Sequence, residues 1–100
     1  MKIAIPCQSK EKDTRIDPRF GRAKYFMIFD LESGDIVFLD NEQNLQSPSG
    51  AGIQSAQTIV NAGVDSLLTG HCGPKAFRAL NAAHVCVYTN VQGDVTDAIE

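Results

Sequence analysis

The chain has 100 residues, 43% of them hydrophobic and 21% charged, with a formal net charge of −3. That size is one domain, residues 1–100, with room for one core and little room for a deep catalytic cleft. The balance excludes a disordered or fibrous chain, and its acidity excludes bulk attraction to nucleic acid.

Met1-Lys2-Ile3-Ala4-Ile5-Pro6 reads as a first strand over Lys2–Pro6. It has no long apolar stretch, so it is not a signal peptide. Ile3 and Ile5 share a face, and Pro6, lacking an N–H, is expected to end the ladder. No apolar run approaches the ~20 residues of a membrane helix. The expected location is the cytoplasm, without membrane contact. Cys7, Cys72 and Cys86 form no C-x-x-C pair. An odd count without a secretory signal points to reduced thiols.

Residues 7–22 form a long polar loop bearing Arg15, Arg19 and Arg22 around Phe20. Loops of that length in compact domains are commonly functional. These arginines could close over an anion, although Glu11, Asp13 and Asp17 also suit a solvated loop. Residues 24–30 alternate Tyr25, Met27 and Phe29 with Phe26 and Ile28. Both faces are apolar, so this second strand is expected to be covered on both sides. Glu32-Ser33-Gly34 is a turn, and residues 35–40 make the third strand of an antiparallel hairpin.

A helix is predicted over 51–62, with Ile53, Ala56, Ile59 and Val60 on its apolar stripe and Gly63 at its C′ position. Residues 64–69 form a buried strand. Gly70-His71-Cys72-Gly73 then leads into a helix over 74–83, with Pro74 at its first position. Ala76, Phe77 and Leu80 are its expected buried residues. His84 falls where a glycine cap is usual, a place for a left-handed backbone. Residues 85–89 form the last strand, with Cys86 read as core, and Asp94 opens a short third helix. The order β-β-β-α-β-α-β-α predicts a mixed sheet with helices on both faces.

Ligands of open α/β sheets bind beyond the carboxyl ends of parallel strands. If the first and fourth strands are parallel neighbours, Cys7 and His71-Cys72 converge there. Gly70 and Gly73 would let the backbone approach a bulky ligand, and the helix starting at Pro74 offers free N–H groups to an anion. A thiol there would ionise readily and bind a soft metal. The plain alternatives are a strand-to-helix turn with Cys72 packed inside, and a Cys7 that is a buried structural thiol. Ser47, Ser49, Gly50 and Gly52 could also present N–H groups to an anion. They are a poor dinucleotide fingerprint, because Ser55 stands at the third glycine position and no suitably placed acid follows. There is no G-x-S-x-G elbow, no paired zinc spacing, and no acid in the first strand for a magnesium nuclease.

Five segments, in order and spread over nearly the whole chain, carry a resemblance. They are Met1–Pro6, Asp17-Pro18-Arg19-Phe20-Gly21-Arg22-Ala23, Gly50-Ala51-Gly52-Ile53-Gln54, Gly73-Pro74-Lys75-Ala76-Phe77 and Val87-Tyr88. Together they resemble the dinitrogenase iron–molybdenum cofactor biosynthesis family. The resemblance implies a ribonuclease-H-like three-layer α/β/α fold with a five-stranded mixed sheet. It implies a non-enzymatic carrier or scaffold for an anionic metal–sulfur cluster of molybdenum, iron or copper, with cluster-donor or acceptor proteins as partners. Arg19 stands where nitrogenase-associated members often have histidine. His71-Cys72 is more metal-friendly than is expected in many relatives.

The expected cluster site therefore comprises Arg19, Phe20, Gly21, Arg22, Gly50, Gly52, Gly70 and Gly73, with Cys72, His71 and Cys7 as metal ligands. A cluster held by N–H groups and charge alone, with Cys72 dispensable, is the variant of that expectation. The rivals are a metal-free regulatory or protein-interaction module and, behind it, a small enzyme for a phosphate-bearing ligand.

Overall fold

The computed structural model describes residues 1–10, 16–17, 20–41 and 51–89. Its strands are β1 (Lys2–Cys7), β2 (Tyr25–Asp30), β3 (Ile36–Asp40), β4 (Ser66–Leu68) and β5 (Cys86–Tyr88). The helices are α1 (Ala51–Asn61) and α2 (Pro74–Ala82), and a single 3-10 turn spans Phe20–Arg22. The sheet order is β3-β2-β1-β4-β5. The β1–β2 and β2–β3 pairs are antiparallel, and the β1–β4 and β4–β5 pairs are parallel. The mixed five-stranded sheet and the parallel pairing of first and fourth strands thus follow the sequence reading.

Pro6 does not end β1. The strand runs on to Cys7, with Pro6 opposite Phe26 of β2. On the other side β4 pairs only at Ile3 and Ala4, so that ladder has already finished before the residue without an N–H arrives. The Pro6 carbonyl is used instead by Asp17, whose N–H donates to it at 2.9 Å, and Ile16 bridges Cys7. The long polar loop therefore returns to the sheet before Phe20.

The alternation of β2 divides the core as expected. Phe26 and Ile28 join Ala4 and Leu67 on one face, where they meet Ala56 and Ile59 of α1 and Ala76 and Leu80 of α2. Met27 joins Ile5, Cys7 and Ile16 on the other face, which is also buried. Both described helices pack on the first face, so helices on opposite faces are not seen among the described residues. The predicted third helix from Asp94 lies outside them.

Two expected core residues are corrected. Ile53 is 42% exposed at the first turn of α1, and Phe77 is 43% exposed on α2. The helices bury a narrower stripe than their apolar content suggests. Ser55 is fully buried in α1 instead. Cys86 is likewise exposed rather than core, because β5 is a short edge strand whose Val87 is the side packed inward.

The helix ends behave as the sequence predicts. Gly63 has φ +76, and its N–H donates to the Val60 carbonyl at 3.0 Å. His84 takes φ 64 after α2, and Val85 N–H reaches back to the Leu80 carbonyl at 2.9 Å. That pairing satisfies a carbonyl the last turn would leave open, and it aims the chain into β5.

Candidate functional site

At the carboxyl end of β4 the chain turns through Thr69–Gly73 into α2. Gly73 caps this helix with an extended backbone (φ −65, ψ 160), Pro74 opens it, and no side chain caps it. Its first turn carries no acid, and neither does that of α1. The two helix starts meet at Gly52. A Cβ there would stand 3.4 Å from the Cβ of Ala76, the near edge of ordinary contact, so a methyl just fits and a larger side chain would press α1 away from α2. Two helix N-termini, both positive ends of backbone dipoles, therefore open side by side.

The Phe20–Arg22 turn faces them. Phe20 is its anchor: the ring is buried and packs 5.3 Å from the Phe26 ring, centroid to centroid, tilted by 38°. The Phe20 N–H donates to the His71 carbonyl at 3.2 Å. The Thr69 hydroxyl donates to the same carbonyl at 3.3 Å. These bonds hold the turn against the β4–α2 loop.

Together the three segments enclose an open cleft of about 530 Å³. Its wall is mainly apolar; among the described residues its polar groups are Arg22, His71 and Lys75, with the backbone of Gly21, Gly52 and Gly73, and no carboxylate or cysteine is among them. In a protein of net charge −3, this concentrates positive charge and backbone donors in one concavity. Arg22 and Lys75 are exposed, free to meet a ligand from solvent.

The sequence-predicted residues divide accordingly. Phe20, Gly21, Arg22, Gly52, Gly73 and His71 line the cleft together. Gly70 lies in the adjoining loop but not in the lining. Arg19 and Gly50 lie outside the described residues. Cys72 is half-buried and packs against the core of the helix-covered face. Burial raises its thiol above the ordinary 9.0. Cys7 reaches the same end of the sheet but points to the opposite face, because Ile3, Ile5 and Cys7 alternate onto the Met27 side. Burial pushes its thiol up to about 11. The expected convergence of Cys7 with His71-Cys72 is thus corrected: a strand puts successive side chains on opposite faces. Among the described residues, no three His, Cys, Asp or Glu side chains are grouped to hold a metal ion.

Sequence reasoning missed Ile53, Pro74, Lys75 and Ala76 as lining residues. Lys75 was legible, since it is a cation at the second position of a helix that starts at a strand's carboxyl end. Ile53 was assigned to the core by its place in the helical stripe.

The family described as dinitrogenase iron–molybdenum cofactor matches residues 1–100. A Methanocaldococcus jannaschii protein described as uncharacterized is 34% identical over 90 residues, which is 88% of this chain and 73% of that protein. The apo form of the orange protein from Desulfovibrio gigas superposes with a TM-score of 0.95 at 38% identity, over 98% of this chain and 82% of that one. A NifB-like protein from Thermotoga gives 0.84 at 37% identity, over 98% and 83%. The chain belongs to the dinitrogenase iron–molybdenum cofactor family.

Proposed function

We propose that this protein is a carrier or scaffold that receives an anionic metal–sulfur cluster in the cleft and hands it to another protein, without catalysing a reaction. The observation that carries the reading is the lining: two adjoining helix starts, Arg22, Lys75 and His71, with no carboxylate among the described lining residues. An inorganic thio-cluster is bulky, soft and negatively charged. Backbone N–H groups and cationic side chains can satisfy its sulfur atoms without a covalent anchor. Family membership supports molybdenum or iron as the metal, and copper fits the same soft cargo. The similar orange protein is described in an apo form, which implies a loaded form of that protein.

The residues fit cargo held by charge and N–H groups better than cargo held by thiolates. His71 is the one soft ligand among the described lining residues, and Cys72, half-buried, packs against the core. Loading and release of such cargo need no ligand-bond cleavage by the protein. Partners would be the proteins that supply and accept the cluster, in a reducing compartment such as the cytoplasm, where three free thiols persist.

The test is an anaerobic titration of metal-free protein with tetrathiomolybdate, with and without copper(I) or iron(II), followed by amide NMR. Saturable shifts at Gly21, Arg22, Gly52, Gly73, Lys75 and Ala76, with metal retained after desalting, are expected. Absence of binding under all three conditions would leave the fold to a protein-interaction role.

A further inference from the structure

The cleft is built from segments far apart in sequence, and among the described residues two links join its walls. One is the His71 carbonyl, already described. The other lies behind the cleft and does not line it. Asn41, immediately after β3, is completely buried. Its side-chain amide donates to the Ala23 carbonyl at 2.8 Å, and its backbone N–H donates to the Lys24 carbonyl at 2.8 Å. Its side-chain oxygen accepts the hydroxyl of Ser55, also fully buried, at 3.1 Å. Ala23 directly follows Arg22. Ser55 sits one turn beyond Gly52 on α1. One side chain therefore ties the arginine-bearing turn to the helix start across the cleft.

We infer that Asn41, acting through Ser55, is a positioning residue for this cleft: it sets the separation between Arg22 and the α1 N-terminus, and so sets anion affinity without touching the anion. This inference rests on the carrier reading for its binding consequence. A buried amide with donor and acceptor both used has a single orientation. Its partners are a backbone carbonyl on one wall and a helix side chain on the other, so neither can move independently without stranding a buried polar group. Asparagine suits the position because aspartate would face the Ala23 carbonyl with a second acceptor. Leucine, of similar size, would leave that carbonyl and the Ser55 hydroxyl unpaired. Preorganised donors bind more strongly than donors that must be gathered by the ligand.

The experiment compares wild type with Ser55→Ala, Asn41→Ala and the double variant. Tetrathiomolybdate affinity is measured at a temperature well below each unfolding midpoint. Loss of the clamp predicts affinity weakened roughly five- to tenfold in the folded variants. The double variant should be no weaker than Asn41→Ala, since the two side chains act as one link. A purely structural role would lower the midpoint and leave the affinity of the folded protein unchanged, which overturns the inference. Ser55→Ala carries the test if Asn41→Ala does not fold. If wild type binds no thiomolybdate, alone or with copper(I) or iron(II), the carrier reading falls, and the clamp is judged on amide shifts in the free protein. Shifts in Ser55→Ala at both Gly21–Lys24 and Gly52–Ile53 support the link; shifts confined to α1 overturn it.

Discussion

Phe20 is the residue on which the cleft and the core depend together. Its ring is 1% exposed, it packs on Phe26, and the cationic turn hangs from it. Phe20→Ala removes a fully buried aromatic side chain, which costs about 3–5 kcal/mol including the cavity. Against a total stability of about 5–15 kcal/mol, that loss brings the domain near the edge of folding. Phe20→Leu keeps most of the apolar volume and loses the aromatic pair, worth about 0.5–1.5 kcal/mol, plus a small packing defect, for a total of about 1–2 kcal/mol. At about 4–8 °C per kcal/mol for a domain of this size, Phe20→Leu should lower Tm by roughly 5–15 °C. Urea unfolding followed by circular dichroism gives the free energy, with an unchanged slope required for the comparison. Folded Phe20→Leu should still bind thiomolybdate within about threefold of wild type, since the Phe20 N–H bond to His71 is a backbone contact and survives. A cost under about 1 kcal/mol for Phe20→Ala would refute the assignment of this ring to the core.

Cys7 makes stability pH-dependent in the alkaline range. Its thiol is raised from 9.0 to about 11 by burial, so the folded state keeps the proton that the unfolded chain releases. The associated stability, about 3 kcal/mol, is fully present below pH 9 and is lost as pH rises through about 11. Urea midpoints should fall over that window in wild type and fall less in Cys7→Ala; equal slopes would contradict the burial argument. Thiol labelling under native conditions should proceed in the order Cys86, Cys72, Cys7, with Cys7 reacting only on unfolding, as read by mass spectrometry. Gly52→Ala should be near neutral in Tm, because gained helix propensity of about 1 kcal/mol opposes a 3.4 Å contact with Ala76. Gly52→Val should force α1 from α2 and weaken anion binding severalfold by titration.

Much of the fold was legible because local rules and the global fold agree. The double apolar alternation of β2, Gly63 as a helix terminator, Pro74 as a helix opener and the left-handed His84 each encode their own conformation. What escaped was information about neighbours. Whether Ile53 and Phe77 are core depends on the width of the groove between α1, α2 and the sheet, which a helical stripe does not specify. Pro6 within β1 was misread because its tolerance depends on where β4 stops. For the site, Gly21, Gly52, Gly73 and Arg22, which line the cleft together, were named from motif spacing. Where the thiols point was not legible, because that depends on register and on the neighbouring elements. Cys7 lies on the face of the sheet away from the cleft, and Cys72, half-buried, packs against the core. Asn41 left no sequence signal at all, since an asparagine after a strand is ordinarily a loop residue.

On the carrier proposal, charge and backbone donors, not thiolates, hold the cargo. The decisive measurement is the thiomolybdate dissociation constant of Cys72→Ser set against those of Arg22→Gln and Lys75→Gln, at two salt concentrations. Cys72→Ser is expected within about twofold of wild type, and each charge removal weaker by about three- to tenfold, with the difference shrinking as salt rises. Loss of binding in Cys72→Ser, with Arg22→Gln and Lys75→Gln unaffected, would contradict it.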